Sequence, residues 1–292
     1  MKRRRLLRWG LLMLALFMVV FAGASWVVGG RLVAPALRTV GPPPADLPVE
    51  SISIESKSGA RLAGWYIPAD NATATVVLLH PIRGDRRAML TRARLLHDAG
   101  YAALLVDLQA HGESPGEHIT IGHLERHDAE AAVAYLRRRT PDHQVGVVGR
   151  SLGGAAAVLA SPLEIDALVL ESVYPTIDEA VHDRLAMRLG PLHHVLAPAL
   201  LVQLSPRLGI STADLRPIDR INAAGCPVLV AAGDQDRHTT LAETERLFAQ
   251  ASEPKTLVIF SGAGHVDLLA HDPVLYKDQI VRFLDANLQP PP

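Results

Sequence analysis

Gly149-Arg150-Ser151-Leu152-Gly153-Gly154 follows the apolar run Val145–Val148 and opens the alanine-rich stretch Ala155-Ala156-Ala157. The pattern is G-x-S-x-G between a β-rich run and a helix-forming run, and that setting gives it meaning. A serine on so tight a turn is held at strained backbone angles, and a Cβ on its glycine neighbours would strike the adjoining strand and helix. The turn lifts the Ser151 hydroxyl clear of the backbone. It also places the Leu152 N–H at a helix start, where it can meet a developing oxyanion. Ser151 is the candidate nucleophile.

A nucleophilic serine needs a base, and the base needs an orienting carboxylate. From about residue 49 the chain alternates short apolar runs with longer amphipathic ones. Val49–Glu55 and Leu62–Ile67 alternate apolar and polar residues, which predicts an antiparallel pair at a sheet edge. Thr75–Leu79, Ala102–Val106, Val145–Val148, Ala167–Leu170, Val228–Ala232 and Thr256–Phe260 are nearly continuous apolar runs, as in strands covered on both faces. Helix-like stretches (Arg86–Ala99, Leu124–Arg139, Gly153–Ala160, Leu241–Ala251, Val274–Leu288) separate or follow them. The expectation is an α/β fold, a mostly parallel eight-stranded sheet with helices on both faces. Chemistry in such sheets gathers beyond the carboxyl ends of the strands. There lie Gly233-Asp234-Gln235-Asp236, after the penultimate run, and Gly262-Ala263-Gly264-His265, after the last. The order Ser151, Asp236, His265 predicts a Ser-His-Asp triad.

These segments, with Leu79-His80-Pro81-Ile82-Arg83-Gly84-Asp85 and Asp107-Leu108-Gln109-Ala110-His111-Gly112, resemble the α/β-hydrolase superfamily from about residue 50 to 288. The resemblance is to membrane-anchored members near the serine aminopeptidase and dienelactone hydrolase branches. It implies that Asp236 is the acid, rather than Asp234, which reads as a turn residue. It also implies a second oxyanion N–H at Ile82. Pro81 stands where the family usually carries glycine, and proline fixes φ near about −65°. Between Tyr174 and Arg220 the sheet pattern lapses. Ile177, Val181 and Leu185, then Leu192, Leu196 and Leu200, recur at i, i+4, suggesting two amphipathic helices as a cap at about 174–220.

The N-terminus has a different character. Trp9 to Gly30 is 22 residues without a charge, about 33 Å as a helix, enough for a hydrocarbon core of about 30 Å. Lys2, Arg3, Arg4, Arg5 and Arg8 precede it and only Arg31 follows. That asymmetry predicts a single-pass anchor over 1–31, N-terminus cytoplasmic and body outside. The competing reading is a cleaved signal peptide with Leu11–Phe21 as its apolar core and Ala22-Gly23-Ala24 at the cleavage site. Pro42-Pro43-Pro44 and Pro48 predict a semi-rigid linker over 32–48, leaving 49–292 as the hydrolase domain, with Pro290-Pro291-Pro292 as a frayed tail.

Beyond residue 31 the chain carries seven more acidic than basic side chains, which argues against a nucleic-acid surface. A single cysteine, Cys226, excludes a disulfide framework and a cysteine-cluster zinc site. No cofactor and no metal are expected. His123 and His127 read as a solvated helix face. His193 and His194 are adjacent, share no helix face and receive no role. Arg83, Arg86 and Arg87 read as exposed solubilising charges. The functional expectation is a membrane-anchored serine hydrolase cleaving carboxylic esters with small or medium apolar acyl groups through an acyl-enzyme. A peptidase or amidase, or a catalytically silent tethered binding scaffold, is the alternative.

Overall fold

The computed structural model describes residues 2–288; the Pro290–Pro292 tail lies outside the described residues. Eight strands form one sheet: β1 (Glu50–Glu55), β2 (Arg61–Ile67), β3 (Ala74–Leu79), β4 (Ala102–Val106), β5 (Gln144–Arg150), β6 (Ala167–Glu171), β7 (Val228–Gly233) and β8 (Lys255–Phe260). Their order is β1-β2-β4-β3-β5-β6-β7-β8. β1 pairs antiparallel with β2, and β2 with β4; every other pair is parallel. The polar–apolar alternation of β1 reflects its edge position, with one face in water.

The central strands are apolar throughout because both faces are covered. In β3, Val77 and Leu79 join one core layer and Val76 and Leu78 the other, all fully buried. Each such side chain contributes roughly 1.5–3 kcal/mol of burial. Ala129, Ala132 and Leu136 of α3 (Glu125–Arg139), with α4 (Leu152–Leu159), cover the first face. Ala93 and Leu96 of α2 (Leu90–Asp98), with Ile280 and Leu284 near the C-terminus, cover the second. Registers such as Leu79↔Gly149 and Phe260↔Gly233 bring the carboxyl ends of the strands to one edge, where the candidate residues lie.

The first helix, α1 (Lys2–Leu32), is long and apolar enough to cross a membrane, and its apolar stretch is not buried by the rest of the chain. The 32–48 segment is laid along the domain rather than held off it. Val33 and Val40 are buried, Ala36 N–H donates to Ala110 O at 2.8 Å, and Ala36–Leu37 pairs with His111–Gly112. Its prolines cluster, yet the apolar residues before them have a place to bury, and that holds this extended segment on the domain. Above the sheet stand three helices: α5 (Ile177–Leu189), α6 (His193–Leu201) and α7 (Leu204–Leu208). Gly190-Pro191 separates α5 from α6, and a non-helical break at Val202-Gln203 divides the second apolar stretch in two.

Candidate active site

β5 ends in Arg150, Ser151 adopts φ 49° and ψ −111°, and α4 begins at Leu152. A positive φ on serine is strained, and the surroundings hold it. Ser151 N–H donates to Glu171 O at 2.8 Å and Ser151 O accepts from Ala155 N–H at 2.9 Å. Only glycine fits the flanks. A Cβ at Gly149 would lie 2.5 Å from Gly154 Cα, and one at Gly153 would lie 2.3 Å from Leu79 O. Ser151 is buried, and its Oγ makes no hydrogen bond among the described residues, so contact with an imidazole is not closed in this conformation. Such contacts often tighten only with substrate bound.

Asp236 and His265 meet. His265 Nδ1 and Asp236 Oδ2 are 2.7 Å apart, and the carboxylate side chain is fully buried. Asp236 Oδ1 accepts from the His238 and Thr239 N–H groups at 2.8 and 3.1 Å. Burial alone would raise this carboxyl, but the His265 bond, its charge and the two backbone donors outweigh it, holding the group below its ordinary range. Asp234 is spent on the turn: it accepts from Gly262 N–H at 2.7 Å and faces Ser261 Oγ at 3.3 Å.

Leu152 opens α4 directly after Ser151, and Ile82 lies in the loop after β3. Pro81 O accepts from Gly84 N–H at 3.0 Å, closing a turn in which Arg83 takes φ 58°. That accommodates Pro81 at the start of the turn. His80 pins the loop: its Nδ1 lies 2.8 Å from Pro81 O and its Nε2 accepts from Leu108 N–H at 3.0 Å. Full burial, then His111 nearby, lowers its pKa to about 3, so His80 is a neutral strut. Among the described residues neither Ile82 nor Leu152 N–H donates to another protein group.

Several residues escaped the sequence reading. Arg92 lies within a buried network: Nε and Nη2 donate to Glu171 at 2.8 and 2.5 Å, while Nη1 and Nη2 donate to Asp267 at 3.0 Å. Tyr276 Oη donates to Glu171 at 2.5 Å. The network ties the Ser151 turn, through Glu171, to the loop two residues beyond His265. His238 stacks on His265, ring centres 4.9 Å apart and planes 11° off parallel. The arginines expected to be solubilising are not free: Arg86 is buried against Asp107 and Glu113, Arg87 pairs with Asp85 at 2.8 Å, and Arg83 donates to the carbonyls of Arg31 and Leu32 at 2.6 and 3.1 Å. Folding of the cap brings His182 to His193 and His194, and one ring nitrogen from each lies within 4.8 Å of the others, a group of side chains able to hold a metal ion. Spacing alone gave no hint of this, because His182 comes from the neighbouring helix.

The strand order, the serine elbow on β5 and the acid–histidine pair after β7 and β8 define an α/β-hydrolase. The chain belongs to the serine aminopeptidase S33 family, whose profile matches residues 70–218. It is 32% identical over 274 residues to Rv2307c of Mycobacterium tuberculosis, spanning 91% of this chain and 86% of that protein. Against YfhR of Escherichia coli K12 it is 27% identical over 266 residues, 87% of this chain and 86% of YfhR. In fold it is similar to the Pyrococcus furiosus esterase Pf2001, with a TM-score of 0.73 at 23% identity, covering 88% of this chain and 98% of the esterase.

Proposed function

We propose that this protein is a membrane-anchored serine hydrolase acting on carboxylic esters. The observations that carry the reading are the 2.7 Å contact of His265 with the buried Asp236 carboxylate, after β7 and β8, and a serine held at φ 49° on the turn after β5. Asp236 fixes His265 with its proton on Nδ1, leaving Nε2 to accept. His265 takes the Ser151 proton as Oγ adds to the ester carbonyl, and the Leu152 and Ile82 N–H groups receive the oxyanion. Collapse breaks the C–O bond, and His265 returns the proton to the leaving alcohol. Water, deprotonated by the same imidazole, cleaves the acyl-enzyme and restores Ser151. The apolar stretch of α1 anchors the chain, with the catalytic domain outside the cytoplasm.

The test is a graded panel of p-nitrophenyl esters beside aminoacyl and peptidyl amides. Each methylene seated in an apolar acyl pocket adds about 0.8 kcal/mol, so kcat/KM rises about fourfold per methylene until the pocket is filled. Ser151-dependent amide cleavage faster than every ester would overturn the ester assignment.

A further inference from the structure

The last turns of α1 are bolted to the cap. Gln203 Nε2 donates to Ser25 Oγ at 2.8 Å, and Ser25 Oγ donates to Ala199 O at 3.2 Å. The Arg207 guanidinium lies 3.7 Å from the Trp26 ring centre and donates to Trp26 O. At Gly29 the missing Cβ leaves room for the Gln203 amide, whose Oε1 would lie 2.3 Å from it. On its other side the same helix end meets the Ile82–Arg83 turn, through the Arg83 bonds to Arg31 O and Leu32 O. The end of α1 thus joins the cap to the turn bearing a candidate oxyanion donor.

The cap's outer face continues from this junction. From Leu189 to Pro206 there is no Lys, Arg, Asp or Glu. Leu192, Val195 and Val202 are 60, 62 and 71% exposed. With exposed Pro198 they fall at i, i+3, i+6 and i+10; Leu192 and Val202 flank α6 at helical backbone angles, so the four share one side. α6 has nine residues, about 14 Å, too short to span a hydrocarbon core of about 30 Å. It is suited to lie on a bilayer. Trp9 and Trp26 are about 26 Å apart along α1, the separation of two aromatic belts. Trp26 packs on the cap, so α6 lies at the level of the lipid boundary. At the mouth of the site Ile82 and Val266 are 37 and 43% exposed.

We propose that the apolar stripe of α6 seats in the leaflet from which α1 emerges, and that the ester substrate is a lipid-like molecule resident in that leaflet. The proposal rests on the anchored hydrolase reading. Its acyl chain passes between the cap and the Ile82 turn to reach Ser151 without crossing bulk water. The occupant of the stripe is the bilayer because the stripe is continuous with the part of α1 that lipid must cover.

The full chain with Cys226→Ser, carrying in turn Leu14→Cys, Val195→Cys or Asp142→Cys, is labelled with an environment-sensitive dye. It is then placed in phosphatidylcholine vesicles containing spin-labelled lipid. Leu14 reports α1, and Asp142 the amino end of β5, opposite Ser151. Quenching at Leu14 and Val195 but not at Asp142 is expected. Quenching at Leu14 with Val195 no more quenched than Asp142 overturns the seating while the anchor stands. No quenching at Leu14 overturns the anchor, and the seating with it. In the same vesicles, Val195→Asp with Val202→Asp is expected to lower the rate on a vesicle-resident long-chain ester about tenfold or more. Hydrolysis of soluble p-nitrophenyl butyrate stays within about twofold. An equal effect on both esters, or none on either, overturns the substrate assignment. Absence of any Ser151-dependent ester turnover overturns the hydrolase reading instead.

Discussion

Asp236→Asn separates the charge of the carboxylate from its shape. Asp236 Oδ1 is fixed by the N–H groups of His238 and Thr239, at 2.8 and 3.1 Å, so the oxygen of an asparagine must take that place. Its NH2 then faces His265 Nδ1, where the carboxylate sits at 2.7 Å. An amide NH2 can only donate, so the ring must accept at Nδ1 and carry its proton on Nε2. A ring in that tautomer cannot take the Ser151 proton. In serine triads this exchange lowers kcat about 10⁴-fold, or about 5 kcal/mol of transition-state stabilisation. Asp234→Asn has no such consequence. Its oxygen keeps the Gly262 N–H, and its NH2 faces the Ser261 hydroxyl, which accepts as well as donates. Its kcat should fall by less than about threefold. The assay is steady-state hydrolysis of a p-nitrophenyl ester, with KM measured separately. Comparable losses in the two variants, or a selective loss at Asp234, would refute the assignment of the acid.

Two further outcomes follow from buried charge. Arg92→Ala leaves Glu171 buried without its cation, and should cost about 3–5 kcal/mol in denaturant unfolding. Joint replacement of Arg92 and Glu171 by methionine should recover part of that loss, and no recovery would contradict the pairing. Burial, then Glu243 beside it, pushes the Asp183 carboxyl up to about 7. The unfolded group ionises near about 4, so between about pH 4 and 7 the folded state binds the extra proton and stability falls as pH rises. Asp183→Asn should flatten that part of the Tm–pH curve; an unchanged slope would show that this carboxyl does not set it.

The sheet was legible because its runs are short, β-branched and bounded by turns, and because burial on both faces leaves them unbroken, as at Val76–Leu79. The serine elbow was legible for a local reason: Gly149 and Gly153 are demanded by contacts within the turn and the next strand. Long-range polar pairing was not. Arg92 meets Glu171 across 79 positions and Asp267 across 175, and neither spacing nor hydropathy carries such a contact. The docking of α1 was hidden for the same reason, since Ser25 finds Gln203 across 178 positions. Arg86 was misjudged because charge was taken as a sign of exposure, whereas Asp107 and Glu113 give it buried partners; Arg83 and Arg87 are exposed, as expected.

The central claim is that Ser151 is an activated nucleophile. The direct measurement is labelling of the full-length protein, folded in detergent or vesicles, with a fluorophosphonate probe, followed by peptide mapping. One adduct on Ser151, lost in the folded Ser151→Ala variant, is the predicted result. A folded wild-type protein that resists the probe, or an adduct that persists in Ser151→Ala, would contradict it.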